Sequence, residues 1–232
     1  MSLITQKNPG GLVVALLGGV ALSAQAAVIL ETDFSGRTVS GTSATNITWT
    51  TNGVTNPGDL TVNNIAVDGA NPGDLFDTSA AQGYFAPDNN IGNGGEWETS
   101  IVFTTLADNI ALTTILWDYG NFGNSGNIQT AFRSSEYTVS ISEVLGGAVV
   151  LSPISIVTTA SDGIEGLLTF NTPVTLDANT EYSLVFNADG VSAGSNTSID
   201  ALTVNGDLIA VPEPSSLLLL SLGALAFGRR RR

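Results

Sequence analysis

The chain has 232 residues, a formal net charge of −14, no histidine and no cysteine. That composition excludes a disulfide framework, a Ser-His-Asp triad, a thiol nucleophile and the usual Cys/His zinc sites. Between Val28 and Ala210 the 20 acidic residues meet only Arg37 and Arg133, a regional balance of 2 − 20 = −18, which disfavours nucleic acid and anionic lipid and favours divalent cations or cationic partners.

The first 26 residues read as a secretory signal peptide. Lys7 and the free amine give a positive start, and Leu12 to Leu22 gives an apolar run. Ala24-Gln25-Ala26 is a small-x-small cleavage site that puts the mature start at Ala27. A buried first helix is the alternative, but Gly10, Gly11, Gly18 and Gly19 weaken a helix in water. Such a segment implies Sec-type export and a signal peptidase.

Residues 27–210 then form one domain. Short apolar-polar alternation is broken throughout by Gly, Asn, Asp and Pro, the pattern of strands and turns. Strands are predicted at Val28–Asp33, Asn46–Thr51, Leu60–Val67, Glu96–Thr104, Ala111–Tyr119, Glu136–Val144, Ala148–Val157, Gly166–Thr169, Glu181–Asn187 and Ser198–Val204. Asp207 to Ala210 adds a short pairing, and Ala107 to Ile110 a turn. Pro153 interrupts its strand and belongs at an edge or bulge. In Glu181–Asn187, Tyr182, Leu184 and Phe186 share one face, and Glu181, Ser183 and Val185 the other. The expected architecture is all-β: a two-sheet antiparallel β-sandwich of jelly-roll type, with a β-helix as the alternative. Asn-Pro-Gly-Asp-Leu occurs at Asn56–Leu60 and Asn71–Leu75. Pro-Gly there suits a type II turn, and with no third copy a solenoid is rejected.

Few constellations carry chemistry. Without a mature-domain lysine there is no Schiff base or phosphate grip. A carboxylate pair acting on a glycosidic bond is the hydrolytic chemistry left, and Glu96 and Glu98 share a strand face. Trp97 between them points to the core, and exposed polar alternation explains both acids more simply. The expectation is therefore no enzyme, with a glycan-acting hydrolase as an alternative.

Trp117-Asp118-Tyr119-Gly120-Asn121-Phe122 is the densest aromatic group, followed by Tyr84-Phe85. Trp117 and Tyr119 are candidates for a sugar-stacking platform. Ile115 shares their face and favours the competing reading, core packing. Glu31 and Asp33 on the first strand and Asp200 on the last long strand are candidate calcium ligands, since calcium takes several carboxylate and carbonyl oxygens. Solvated or turn-capping roles compete with this. The fragments Leu30-Glu31-Thr32-Asp33-Phe34 and Ser198-Ile199-Asp200-Ala201-Leu202 resemble carbohydrate-binding jelly-roll modules. That resemblance implies a structural calcium between first and last strands.

Residues 211–232 form a segment of three parts. Pro212-Glu213-Pro214 stops helix from propagating back into the domain. Ser215 and Ser216 are N-cap candidates for an apolar helix that includes Leu217, Leu218, Leu219, Leu220, Leu222, Leu225 and Phe227. Arg229, Arg230, Arg231 and Arg232 form a basic stop held on the cytoplasmic side. A helix from Ser215 to Gly228 rises only about 21 Å, against a hydrocarbon core of roughly 30 Å. Pro212-Glu213-Pro214, the apolar run and the arginines together resemble the PEP-CTERM family of exported bacterial proteins. The resemblance implies processing by an exosortase-type protease, transient insertion in the inner membrane, and delivery to the cell surface or matrix with a structural or adhesive role in exopolysaccharide. A carbohydrate-binding module with structural calcium is the alternative, and a retained weak anchor competes with cleavage.

Overall fold

The computed structural model describes residues 26–40, 43–63, 75–77, 85–87, 96–122, 131–191 and 196–211. The signal-peptide expectations up to and including Ala24, the turn at Asn71, Tyr84 and the tail from Pro212 to Arg232 lie outside the described residues, as do the two flanking helices.

The described residues contain fourteen strands: β1 Ala27–Thr32, β2 Thr38–Ser40, β3 Ser43–Thr45, β4 Thr50–Thr51, β5 Leu60–Asn63, β6 Leu75–Asp77, β7 Phe85–Pro87, β8 Glu96–Thr104, β9 Asn109–Phe122, β10 Glu136–Glu143, β11 Val149–Val157, β12 Glu165–Leu176, β13 Glu181–Asp189 and β14 Asn196–Ile209. One 3-10 turn, Ala160–Asp162, is the only helical element among the described residues. One sheet runs β12-β9-β14-β1-β4, with β7 on β14 and β6 on β7; the other runs β11-β10-β13-β8-β5-β3-β2.

The pairing of the long strands is nested. β1 lies antiparallel to β14, β8 to β13, β9 to β12 and β10 to β11. First with last, second with seventh, third with sixth and fourth with fifth is the connectivity of a jelly roll, here split between two sheets. The expected two-sheet antiparallel architecture is present; the β-helix alternative is not.

Period-two alternation explains the packing. On β13, Tyr182, Leu184 and Phe186 are buried, whereas Glu181 is exposed and Ser183 and Val185 are half-buried. Phe186 sits at the centre of the core. Trp117 from the opposite sheet stacks on it with ring centroids 3.3 Å apart at 11°, and Phe170 meets it edge-on at 6.2 Å. Trp97 is buried, and its indole Nε1 donates to Thr197 Oγ1 of the facing sheet at 2.7 Å.

Prolines and turns fall where backbone chemistry allows. Pro153 lies on β11, an edge strand, and within its bulge: the three steps from Leu151 to Ile154 oppose only two from Val139 to Ile141. Gly58 takes φ 79°, and its amide bonds Asn56 Oδ1 at 3.0 Å, as the first Asn-Pro-Gly-Asp turn requires. The strand expected at Asn46–Thr51 is corrected. Asn46 is left-handed, at φ 59°, just after β3 ends at Thr45, and within the expected range only β4, Thr50–Thr51, is strand. Residues 107–108 bend, as expected, but β9 already starts at Asn109.

Candidate functional site

Among the described residues, two concave places outside the core bear on function. The first forms where β1 ends. Thr32 Oγ1 donates to Thr48 O at 2.8 Å and accepts the Phe34 amide at 2.9 Å. Asp33 Oδ1 accepts the Ser35 amide at 2.9 Å, an Asx turn that fixes its carboxylate. Phe34 between them has φ 54°, a left-handed conformation rare for a bulky residue, and is fully buried, edge-on to Trp49. The strain is held by that burial, while Asp33 beside it is exposed. A depression of about 290 Å³ follows, lined by Glu31, Thr32, Asp33, Ser35, Thr48, Thr50 and Ala201.

Asp200 reaches the same region through a bulge. Ile199 pairs with Tyr119 and Leu202 with Trp117, so Asp200 and Ala201 together oppose Asp118. Burial raises the Asp200 pKa above the usual carboxylate value, and the Asp118 charge raises it further. Asp33 and Glu165 add to the rise, and Arg37 works against it. Burial alone raises Asp118. Asp33 moves the other way: hydrogen bonds from the Ser35 side chain and amide hold its carboxyl low. Arg37 reaches this loop too, its Nη1 donating to Phe34 O at 2.8 Å.

The three sequence candidates Glu31, Asp33 and Asp200 thus gather at one end of the β1–β14 pair. They do not form a ready cage: among the described residues no group of three or more carboxylates is placed to hold a metal ion. Asp118, Arg37 and Glu165 were not among the candidates. Alternation does place Asp118 outward between Trp117 and Tyr119, but its pairing opposite Asp200 depends on a bulge that the sequence does not mark.

The second place is a groove of about 380 Å³ on the outer face of the other sheet. β10 contributes Glu136, Thr138 and Ser140, β13 contributes Val185, Asn187 and Asp189, and Glu98 and Pro153 complete it from either side. Register explains the arrangement: Thr138 is paired with Asn187 and Asn187 with Glu98, while Glu136 is paired with Asp189. The side chain of Glu96 is outside what is described, so a Glu96–Glu98 spacing is not defined.

The glycan-platform expectation for Trp117 and Tyr119 is corrected. They are 0% and 1% exposed. Ile115 shares their inward face, also fully buried, and the facing sheet covers all three. The competing core reading holds.

Residues 210–232 match the PEP-CTERM protein-sorting motif, which marks an exported protein. No curated protein matches the chain. Similar solved structures include the module TmCBM61 in complex with β-1,4-galactotriose, at 12% identity and TM-score 0.41, covering 64% of this chain and 88% of that one. A family 35 carbohydrate-binding module from Clostridium thermocellum gives 16% identity and TM-score 0.28, covering 62% and 88%. The CBM22-1 xylan-binding domain from Paenibacillus barcinonensis gives 12% identity and TM-score 0.35, covering 81% and 97%. These likenesses are distant, and the fold described above rests on this chain's own strand pairing.

Proposed function

We propose that this is an exported, non-catalytic protein whose sandwich is displayed at the cell surface or in the extracellular matrix. Its tail inserts transiently in the inner membrane and is removed by an exosortase-type protease. The displayed domain then serves a structural or adhesive role in contact with exopolysaccharide. The observation that carries this reading is the sorting motif at residues 210–232, which begins directly after β14 ends at Ile209.

The outer groove supports the polysaccharide contact. Hydroxyls of Thr138 and Ser140, the Asn187 amide and three carboxylates face solvent there, a donor and acceptor set that suits sugar hydroxyls. Mass spectrometry of protein recovered from the exterior tests the reading. A mature start at Ala27 and loss of Arg229 to Arg232 are expected. An external chain still ending in the arginines overturns the processing step.

A second reading is favoured by Asp33 and Asp118, whose charges both act on Asp200: a divalent cation of the calcium type between the first and last strands. It uses oxygen donors alone, as calcium prefers. Binding would draw the carboxylates inward into a cage that the metal-free arrangement does not preform.

A further inference from the structure

We propose that the end of the sandwich from which the tail leaves rests on a zwitterionic phospholipid surface while the tail is inserted. This rests on the sorting-tail reading above and adds an orientation and a second contact to it.

Hydrogen bonds define that end. Thr105 N donates to Thr180 O, Val144 N to Glu181 O, Leu106 N to Gly53 O and Asn179 N to Leu106 O. Ile209 is paired with Asn109, and Ala27 with Gly206. The β10–β11 hairpin, the β8–β9 and β12–β13 connections, the start of β1 and the end of β14 are therefore neighbours.

Aliphatic side chains are exposed here out of proportion. Leu145 at the hairpin tip is 89% exposed and Val149 63%, joined by Val144, Leu106, Leu208 and Ile209. Val211, exposed as well, is the last described residue. At the opposite end only Val157, Leu167 and Val191 are exposed in this way among the described residues. Exposed hydrophobic groups concentrated at one end mark an interaction surface.

The occupant follows from where the chain goes next. Five residues lie between Val211 and Leu217, and the six steps of chain span at most about 20 Å. An inserted Leu217–Phe227 run holds this end of the domain within that distance of the bilayer. Polarity of the lipid follows from charge. Asp108, Glu143, Asp177, Glu181 and Asp207 lie at this end with no basic residue among its described neighbours, so anionic headgroups are repelled and zwitterionic ones are not.

The absence of cysteine allows single-site labelling. Leu145→Cys and, as control, Leu167→Cys carry a polarity-sensitive dye in the full chain, reconstituted in phosphatidylcholine vesicles with headgroup nitroxide. The Leu145 dye is expected to shift to the blue and to be quenched several-fold more than the Leu167 dye. Flotation with vesicles but a solvent-like Leu145 dye overturns the docking while leaving the tail reading intact. Failure to float overturns the tail reading and the docking with it. A Leu145 dye already in an apolar setting before vesicles are added assigns this end to a second copy, and overturns the lipid contact.

Discussion

Trp97 and Trp117 present a paired test of the core. Both indoles are buried and both pack near Phe186, but their ring nitrogens differ. Trp97 Nε1 donates to Thr197 Oγ1. Trp117 Nε1 is buried with no hydrogen-bond partner. Replacing each by phenylalanine leaves a void of the same chemical origin, so that cost is common. Trp97→Phe additionally loses a net bond worth about 0.5–1.5 kcal/mol. Trp117→Phe removes an unpaired donor whose burial costs about 1–3 kcal/mol. The two variants should therefore differ by roughly 1.5–4.5 kcal/mol, with Trp97→Phe the less stable. At about 2–4 °C per kcal/mol for a domain of this size, a mid-range difference near 3 kcal/mol separates the melting points by ~6–12 °C. Thermal unfolding followed by circular dichroism measures this, and urea unfolding gives the free energies. Equal losses would refute the reasoning, since they require the Trp117 N–H to be bonded as well, by an enclosed water for instance.

Gly206 sits at a bulge where an added Cβ would lie 2.7 Å from Ala111 O, a backbone atom that cannot swing aside; Gly206→Ala should cost about 1–3 kcal/mol, and an unchanged urea midpoint would deny the close approach. The Asp200 pKa is raised in the folded state, so its ionisation opposes folding above the folded pKa, and the penalty disappears as pH falls below the unfolded value of about 3.9. Asp200→Asn should accordingly raise the melting point near neutral pH and leave it unchanged in strong acid; the opposite pH order would reject the burial and Asp118 repulsion assigned here. Calcium at ten to a hundred times the dissociation constant of a weak extracellular site stabilises by about 1.4–2.7 kcal/mol, so a melt with calcium should rise by ~3–10 °C over one with chelator. Asp200→Asn should abolish that rise, and a wild-type melt indifferent to calcium removes the cation reading.

Local chemistry carried much of the fold into the sequence. The strict alternation of Tyr182, Leu184 and Phe186 names the buried face of β13 because a sheet with one wet side requires it. Ile115 beside Trp117 foretells that the aromatic group is core. Strand lengths were less legible. Gly166–Thr169 was expected to stop before Asn171-Thr-Pro, yet β12 continues to Leu176 because it is an edge strand and its register shifts between Asn171 and Val174, around Pro173. Asn205-Gly206-Asp207 resembles a turn, but β14 passes straight through it, opposite a bulge at Thr113 of β9. The candidate site suffers from the same blindness. Asp33 and Asp200 are 167 positions apart, and only the pairing of β1 with β14 brings their ends together. Asp118 joins them through one extra residue in a strand, which leaves no periodic trace.

The nested pairing has a consequence for how the domain is held. Because first and last strands are neighbours and antiparallel, β1 begins where β14 ends. Both the mature start expected at Ala27 and the exit to the tail therefore fall at one end of the sandwich. β9 alone has 14 residues, roughly 45 Å of extended chain. Asp33 lies just past the opposite end of β1, and Asp118 and Asp200 lie in the far halves of β9 and β14, so the acidic depression would face away from a membrane that held the tail. The outer groove spans the broad side between the two, with Glu136 and Asp189 at its far limit. On the proposed reading, a domain held through its tail at one pole would leave its carboxylates and hydroxyls accessible to matrix polymer and cations. Cleavage would change only the pole that carries the exposed aliphatics. Ligand contact and tail processing would then be separable steps, and a variant altered at Asp200 should be processed as the parent chain is.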